Sequence, residues 1–372
     1  MKQHKASKGI VLSIMICILF FTTTTLSYGE GHWAQDEIDY LLSKEIVSGY
    51  PDGTFKPDKP ITRAEFVKII NKIIGNKGKS HVSFKDINEN DWFYDEVAKA
   101  TKSGYVQGYG DNTFRPNNPI TRQEAAKILA TAFRLEDDNL NSGSFVDQKE
   151  ISDWAREYVL LLKNKGYVSG YADGSFRPNA PITRAESVKM ITNVSGQIIN
   201  VKGEYSKAIA KNLLVNTPGI VLKNIHIPGD LYLAEGIGEG DVVLDNVTID
   251  GTVYITGGGA DGISIRNSQL NKIIINRTDG LVHVVLDNSK SSLVVVNKNT
   301  KLTAQKGTLI EQMKIIGKSS INIEKDAEVG KVEIKSKDVE MAVEGNVKSV
   351  IANELYRLDN MSINKGTELS IK

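Results

Sequence analysis

The sequence predicts two regions of different class: an α-helical region of three tandem repeats, then an all-β region of parallel β-helix or solenoid type. Two observations carry this. The stretch "YPDGTFKPDKPITRAE" at Tyr50 to Glu65 returns as "YGDNTFRPNNPITRQE" at Tyr109 to Glu124 and as "YADGSFRPNAPITRAE" at Tyr171 to Glu186. From about Gln197 prolines nearly vanish and Val, Ile and Leu alternate with polar residues, while Asn224, Asn246, Asn267 and Asn288 recur at intervals of 22, 21 and 21 residues. Self-similarity at a fixed period marks tandem or stacked units, and alternation with period two marks strands. At 372 residues, 40% apolar and 24% charged, the chain is long enough for two or three domains with cores of their own.

The first 29 residues differ from the rest. Lys2, Lys5 and Lys8 precede an apolar run from Ile10 to Phe21, and small residues lead to Ser27-Tyr28-Gly29. This reads as a secretory signal peptide cleaved after Gly29, because a run of about 12 residues falls short of the roughly 20 that span a bilayer. Cys17, the one cysteine, lies in that run behind Ile16, which is not the small residue a lipoprotein site requires. The mature chain therefore has no disulfide, thiol nucleophile or cysteine metal site. Without the three leader lysines the formal charge of +1 becomes −2, a poor balance for wrapping nucleic acid.

Trp33, Trp92 and Trp154 each precede a glycine by 16 residues (Gly49, Gly108, Gly170), and each glycine precedes an arginine by 14 (Arg63, Arg122, Arg184). The repeats fall at 30–77, 82–137 and 144–196, with insertions confined to polar joins. After each tryptophan the segments 34–44, 93–102 and 155–165 carry apolar residues at helical spacing, such as Ile38, Leu41 and Leu42. Pro-Asp-Gly or its equivalent and two further prolines then predict a turn and an extended approach. A second helix follows, with Phe66, Ile69, Ile70 and Ile73 on one face of the first copy.

Thr62 and Glu65, three residues apart, form a capping-box signal at the start of that helix. Arg63 has no such explanation. A cation in the first turn faces the positive end of the helix dipole, at a cost of a few tenths of a kcal/mol or more. Three copies of that choice predict a compensating partner. One candidate is an anion held where free backbone N–H groups converge; the other is a carboxylate on a neighbouring repeat.

The tryptophan-led helix, "GYPDGTFKP" and "ITRAE", in three tandem copies, resemble the S-layer homology family of bacterial cell-envelope proteins over about residues 30 to 196. The resemblance implies that the copies close into one pseudo-threefold unit binding secondary cell-wall polysaccharide that carries a pyruvate ketal. It thereby implies a secreted protein at the cell wall or S-layer surface of a Gram-positive bacterium, and the ketal carboxylate would be the anion. Carried over by position, Arg63, Arg122 and Arg184 and the second cations Lys56, Arg115 and Arg177 would meet the polysaccharide. The Gly49, Gly108 and Gly170 turns and Trp33, Trp92 and Trp154 would line grooves between repeats. Two departures stand out: the first copy lacks the Phe-x-Asp opening seen at Phe84 to Asp86 and Phe145 to Asp147, and Gln123 replaces the alanine of the other copies. The first departure bears on the groove flanking copy one.

From 197 to 372, coils of about 20 residues, each two short strands and turns, predict a parallel β-helix in which each coil stacks on the last. Looser copies continue near Lys306, Asp326 and Gly345, and Ile249, Ile255, Ile275 and Ile334 fall on the inward face. An immunoglobulin-like sandwich also suits short strands at regular spacing. The recurring asparagines, suited to left-handed corners or side-chain ladders, favour coils.

Chemistry is sparse. His32, His81, His226 and His283 stand apart without HExxH spacing, and no GxSxG elbow occurs. "TGGGADG" at Thr256 to Gly262 lacks the lysine and hydroxyl residue of a phosphate loop and reads as a turn. A lyase or glycosidase would need paired carboxylates, or carboxylates holding calcium beside a base; Asp245, Asp250, Asp287 and Glu324 are scattered at turns. The expectation is a non-catalytic surface protein without metal or cofactor, displaying a structural or interaction solenoid. The alternative is a wall-anchored polysaccharide-processing enzyme.

Overall fold

The computed structural model describes residues 31–136 and 145–352, and the backbone of 361–362 and 368–371. The leader at 1–29 lies outside the described residues, as does most of the second join. Each repeat supplies two helices: α1 (Gln35–Ser43) and α2 (Arg63–Ile74), α3 (Tyr94–Ser103) and α4 (Arg122–Ala132), α5 (Asp153–Asn164) and α6 (Arg184–Ser195). The first helix of each repeat packs on the second helix of the preceding one: α3 on α2, α5 on α4, and α1 back on α6. Each pairing buries the apolar stripe that periodicity assigns to it.

The ring closes at the extended prolyl segments. Ile61 N donates to Ile182 O at 3.1 Å, Ile120 N to Ile61 O at 3.0 Å, and Ile182 N to Ile120 O at 3.1 Å. The three isoleucines are fully buried, so this cycle marks a pseudo-threefold axis. All three capping boxes form: Thr62, Thr121 and Thr183 accept from the backbone of Glu65, Glu124 and Glu186, whose side chains accept in return.

After α6 the chain enters a two-sided parallel β-solenoid. Among the described residues one sheet holds eleven strands and the other nine, all pairing parallel with the coils before and after. Ile249, Ile255, Ile275 and Ile334 are buried between the sheets, as the alternation predicts. Asn224, Asn246, Asn267 and Asn288 occupy tight corners with φ of 45 to 55°, a region asparagine tolerates better than other non-glycine residues. Asn246 donates to Asn224 at 2.8 Å and Asn288 to Asn267 at 2.9 Å, while Asn267 turns to Asp245 at 3.1 Å. The glycine-rich stretch is a turn, and a Cβ at Gly262 would stand 1.8 Å from His283 O on the next coil.

The two regions do not keep separate cores. Outward positions of the eleven-stranded sheet form one register column: Ile198, Leu214, Tyr232, Tyr254, Ile274 and Val295. All six are buried in the same cluster as the helices. Tyr232 stacks on Tyr254 at 5.1 Å and meets Phe133 edge-on. Beside them Asp230 accepts from Tyr167 Oη at 2.7 Å and Lys165 Nζ at 3.0 Å, and from Thr252 N at 2.7 Å. Ser103 donates to Glu235 at 2.6 Å, and Cα of Gly236 lies so near Gly75 that a Cβ there would be 2.6 Å away. Among the described residues no helix is long and apolar enough to cross a membrane.

Candidate functional site

The repeated spacing builds one polar turn three times. In the first, Asp52 accepts from Thr54 N at 3.0 Å and Thr54 Oγ1 at 2.6 Å, which folds the chain back so that Lys56 Nζ reaches Asp52 at 2.6 Å. Arg115 pairs with Asp111 at 3.0 Å and Arg177 with Asp173 at 2.9 Å in the same way. Lys56, Arg115 and Arg177 have φ of 53, 58 and 56° and lie over the rings of Tyr50, Tyr109 and Tyr171 at 4.5, 3.9 and 4.0 Å. The bonds from Lys56 and then Thr54 pull the Asp52 carboxyl down to about 2, as those from Thr113 and Arg115 do for Asp111. Each second cation is thus paired within its own turn while its side chain stays 43 to 49% exposed.

The motif arginines sit deeper, with 7, 8 and 7% of Arg63, Arg122 and Arg184 exposed. Each belongs to one repeat and meets the next. Arg63 donates to Gln107 O at 3.0 Å, lies over Tyr109 and Phe114, and comes within 3.8 Å of Glu124. Arg122 lies over Tyr171 and Phe176, 3.6 Å from Glu186. Arg184 closes the ring on the first repeat, donating to Phe55 O and Ser48 O at 2.9 Å each and covering Tyr50.

The helix-terminus expectation is corrected by the backbone. Arg63 N donates to Asn118 O at 2.9 Å and Ala64 N to Pro116 O at 3.0 Å; the starts of α4 and α6 donate likewise to Ala180, Pro178, Lys59 and Pro57. With the capping threonine taking the next donor, no first-turn N–H converges on an open site. The prolyl segment of the neighbouring repeat lies across each helix start and satisfies it. Any anion must be met by side chains, and the arginines are compensated in part by carboxylates and carbonyls across the repeat boundary.

Two cavities open at these boundaries. One of about 230 Å³ is lined by Gly49, Tyr50, Glu65, Lys68, Trp92 and Arg184 among others, so it takes residues from all three repeats. The second, about 280 Å³, repeats the set one unit on with Gly108, Tyr109, Glu124, Lys127, Trp154 and Arg63. Trp92 and Trp154 are about half exposed, as is Trp33 before α1. The family model described as the S-layer homology domain matches residues 29–67, 83–126 and 144–186. The chain carries three S-layer homology domains. It is 39% identical over 154 residues to a cellulosome-anchoring protein of Acetivibrio thermocellus, covering 39% of this chain and 34% of that one. It is 34% identical over 157 residues to a surface-layer 125 kDa protein of Lysinibacillus sphaericus (41% and 13% covered), and 36% identical over 165 residues to an amylopullulanase of Thermoanaerobacterium thermosulfurigenes (43% and 9%). The chain thus spans 9 to 34% of the length of these relatives.

Of the predicted site residues, the cavities gather Arg63 and Arg184, Gly49 and Gly108, and Trp92 and Trp154. In the second and third S-layer homology domains the glycine also has a packing role: a Cβ at Gly108 would stand 2.3 Å from the Phe84 ring, and one at Gly170 2.8 Å from Phe145. Asp86 in turn accepts from Phe114 N at 2.8 Å and Arg115 N at 2.7 Å, and Asp147 does the same for Phe176 and Arg177. The Phe-x-Asp opening is therefore a clamp on the turn. The cavity beside the first domain forms nonetheless. Gln123 bridges Asn179 at 2.8 Å and Ser152 N at 3.0 Å, tying the second domain to the third. Sequence reasoning missed Lys68 and Lys127, which lie over Trp92 at 5.3 Å and Trp154 at 5.4 Å. Their signal was present, since Lys68, Lys127 and Lys189 each follow a motif arginine by five residues. All three fall just beyond the matched segments.

Proposed function

We propose that this is a surface protein held noncovalently to the bacterial cell wall by its three S-layer homology domains, which bind pyruvylated secondary cell-wall polysaccharide through the inter-repeat grooves. Wall attachment is supported by the domains themselves and by surface-layer and cellulosome-anchoring relatives. The carboxylate mechanism rests on one observation: each cavity sets an arginine and one or two lysines against a single glutamate, beside a half-exposed indole. That glutamate is already engaged by its capping threonine, and Glu124 also accepts from Tyr109 Oη, whose pKa burial and this carboxylate push up to about 12. Each cavity keeps a net positive charge. Among the described residues Tyr50 Oη in the first cavity, Arg63 Nε in the second and Arg122 Nε at the third boundary are buried donors without an acceptor. A pyruvate carboxylate supplies the missing charge and acceptor, and the indole offers the sugar a flat apolar face.

We read the solenoid as a displayed, non-catalytic element with a structural or interaction role. The charged outward column Lys223, Asp245, Arg266 and Asp287 alternates in sign from coil to coil, which suits mutual neutralisation rather than a carboxylate pair. The experiment is a pulldown of the chain from residue 30 with purified walls before and after chemical removal of pyruvate. Binding is expected only before, and retained binding to depyruvylated walls sinks the carboxylate mechanism. New reducing ends or unsaturated products in the same incubation would overturn the non-catalytic reading.

A further inference from the structure

We infer that the three grooves are not equivalent: the Glu37 carboxylate of this chain occupies the third, leaving two open to an external anion. This rests on the reading above that the grooves take a carboxylate. At the third boundary Arg122 meets Tyr171 and Glu186 of the third domain and α1 packs on α6. By repeat position Lys189 on α6 and Trp33 ahead of α1 stand where Lys68 and Lys127, and Trp92 and Trp154, line the other two grooves.

Register positions explain the difference. Four residues after Trp33, Trp92 and Trp154 stand Glu37, Glu96 and Tyr158. Glu96 would threaten Lys68 but is drawn aside: it accepts from Asn71 Nδ2 at 2.8 Å and from Lys99 at 3.0 Å. At the second boundary Tyr158 puts no acid within reach of Lys127, which instead lies 5.9 Å from its ring. At the third boundary both restraints are replaced. Thr192 stands where Asn71 does and uses its hydroxyl on Val188 O and Lys189 O, and Tyr40 stands where Lys99 does. Glu37 is left to pair with Lys189, and it does.

The charge balance follows. Arg184, Lys68 and Lys72 face Glu65, two positive charges in excess, and Arg63 and Lys127 face Glu124, one in excess. Arg122 and Lys189 face Glu186 and Glu37, with no excess. The indoles differ too: Lys68 and Lys127 cover theirs, whereas Trp33 is met by His32 at 5.3 Å. An incoming carboxylate must displace Glu37 and then lie beside it. Because the Glu37–Lys189 pair is partly exposed, its displacement should weaken the third groove by about three- to tenfold rather than abolish it.

The test is calorimetric titration of the chain from residue 30 with a hexose carrying a 4,6-linked pyruvate ketal, together with amine-reactive labelling of the lysines read by mass spectrometry. Wild type should show two sites of one affinity class and a third about three- to tenfold weaker, and Glu37→Gln should show three of one class. In wild type Lys189 should label more slowly than Lys68 and Lys127, and Glu37→Gln should remove that lag. Three equal sites in wild type, or two in Glu37→Gln, overturn the inference. If neither protein binds the sugar, the carboxylate reading of the grooves fails by itself. Labelling then decides the occupancy of the third groove, which is refuted if Lys189 reacts as fast as the other two.

Discussion

Arg63→Ala separates two accounts of the motif arginine that differ in sign. If the residue were only a ligand contact in the first turn of α2, its removal would relieve the helix dipole and stabilise the fold by a few tenths of a kcal/mol. The structure predicts the reverse. The guanidinium loses a charge-assisted bond to Gln107 O at 3.0 Å, worth about 1.5 to 3 kcal/mol. It also leaves two aromatic faces at 5.3 and 4.8 Å, worth about 0.5 to 1 kcal/mol each. Against this, burial lowers the Arg63 pKa, so part of the gain is offset by desolvation. A net loss of about 2 to 3 kcal/mol remains. With a urea slope near 3 kcal/mol/M the midpoint should fall by roughly 1 M. Tryptophan fluorescence is the assay, because all three tryptophans lie at the starts of the repeats' first helices and report on that ring. Arg63→Lys should recover only part of the loss, since an ammonium cannot keep the planar contacts of the fork. A midpoint unchanged within about 0.2 M, with wall affinity reduced, would refute the cross-repeat role and return Arg63 to ligand binding alone.

Thr62→Ala deletes an N-cap acceptor and should cost about 0.5 to 2 kcal/mol in the same melt, with wall affinity falling only as far as the helix frays. Ile255→Asp places a charge in a fully buried position between the sheets and should exceed about 4 kcal/mol, read as loss of the strand signal in circular dichroism. The junction should be alkali-sensitive. Burial and the Asp230 charge raise Tyr167, burial raises Tyr232 and Tyr254, and the Tyr254 and Asp230 charges outweigh burial at Lys165 to raise it. All four hold protons more tightly folded than unfolded, so their stabilisation is complete below the unfolded values near 10 and is lost as pH rises past them. A urea midpoint that stays flat from pH 9 to 11 contradicts this.

The candidate site was legible where a residue broke a local rule. The arginines stood out because a cation at the head of a helix is unfavourable, and the capping boxes because their spacing has one use. Lys68 and Lys127 were hidden by the opposite condition: a lysine on the exposed face of an amphipathic helix satisfies every local expectation. Only ring closure, which sets α3 on α2 and α5 on α4, brings each one over an indole 24 or 27 residues further along the chain. The donors of the helix starts were misjudged for the same reason. Their acceptors at Asn118, Pro116, Ala180 and Pro178 lie in other repeats, and no window of sequence shows that the prolyl segments interlock.

The junction, by contrast, was written in the sequence in a form that alternation obscures. A strand with one face in a core and one in water should read apolar-polar-apolar, yet "LYL" at 231–233, "VYI" at 253–255, "III" at 273–275 and "VVV" at 294–296 are apolar throughout. Such runs belong to strands covered on both faces. The same register column then continues through Lys314 and Glu333, in coils whose strands read Met-Lys-Ile and Val-Glu-Ile. The change from Val295 to Lys314 marks where the helical ring stops covering the sheet, since Val295 is buried in the shared cluster and the later positions have no place in it. Six successive apolar outward residues thus specify how far the solenoid is clamped to its anchor. A cut between Ser195 and Gln197 would expose that whole column, which is why the anchor and the solenoid are to be tested as one body.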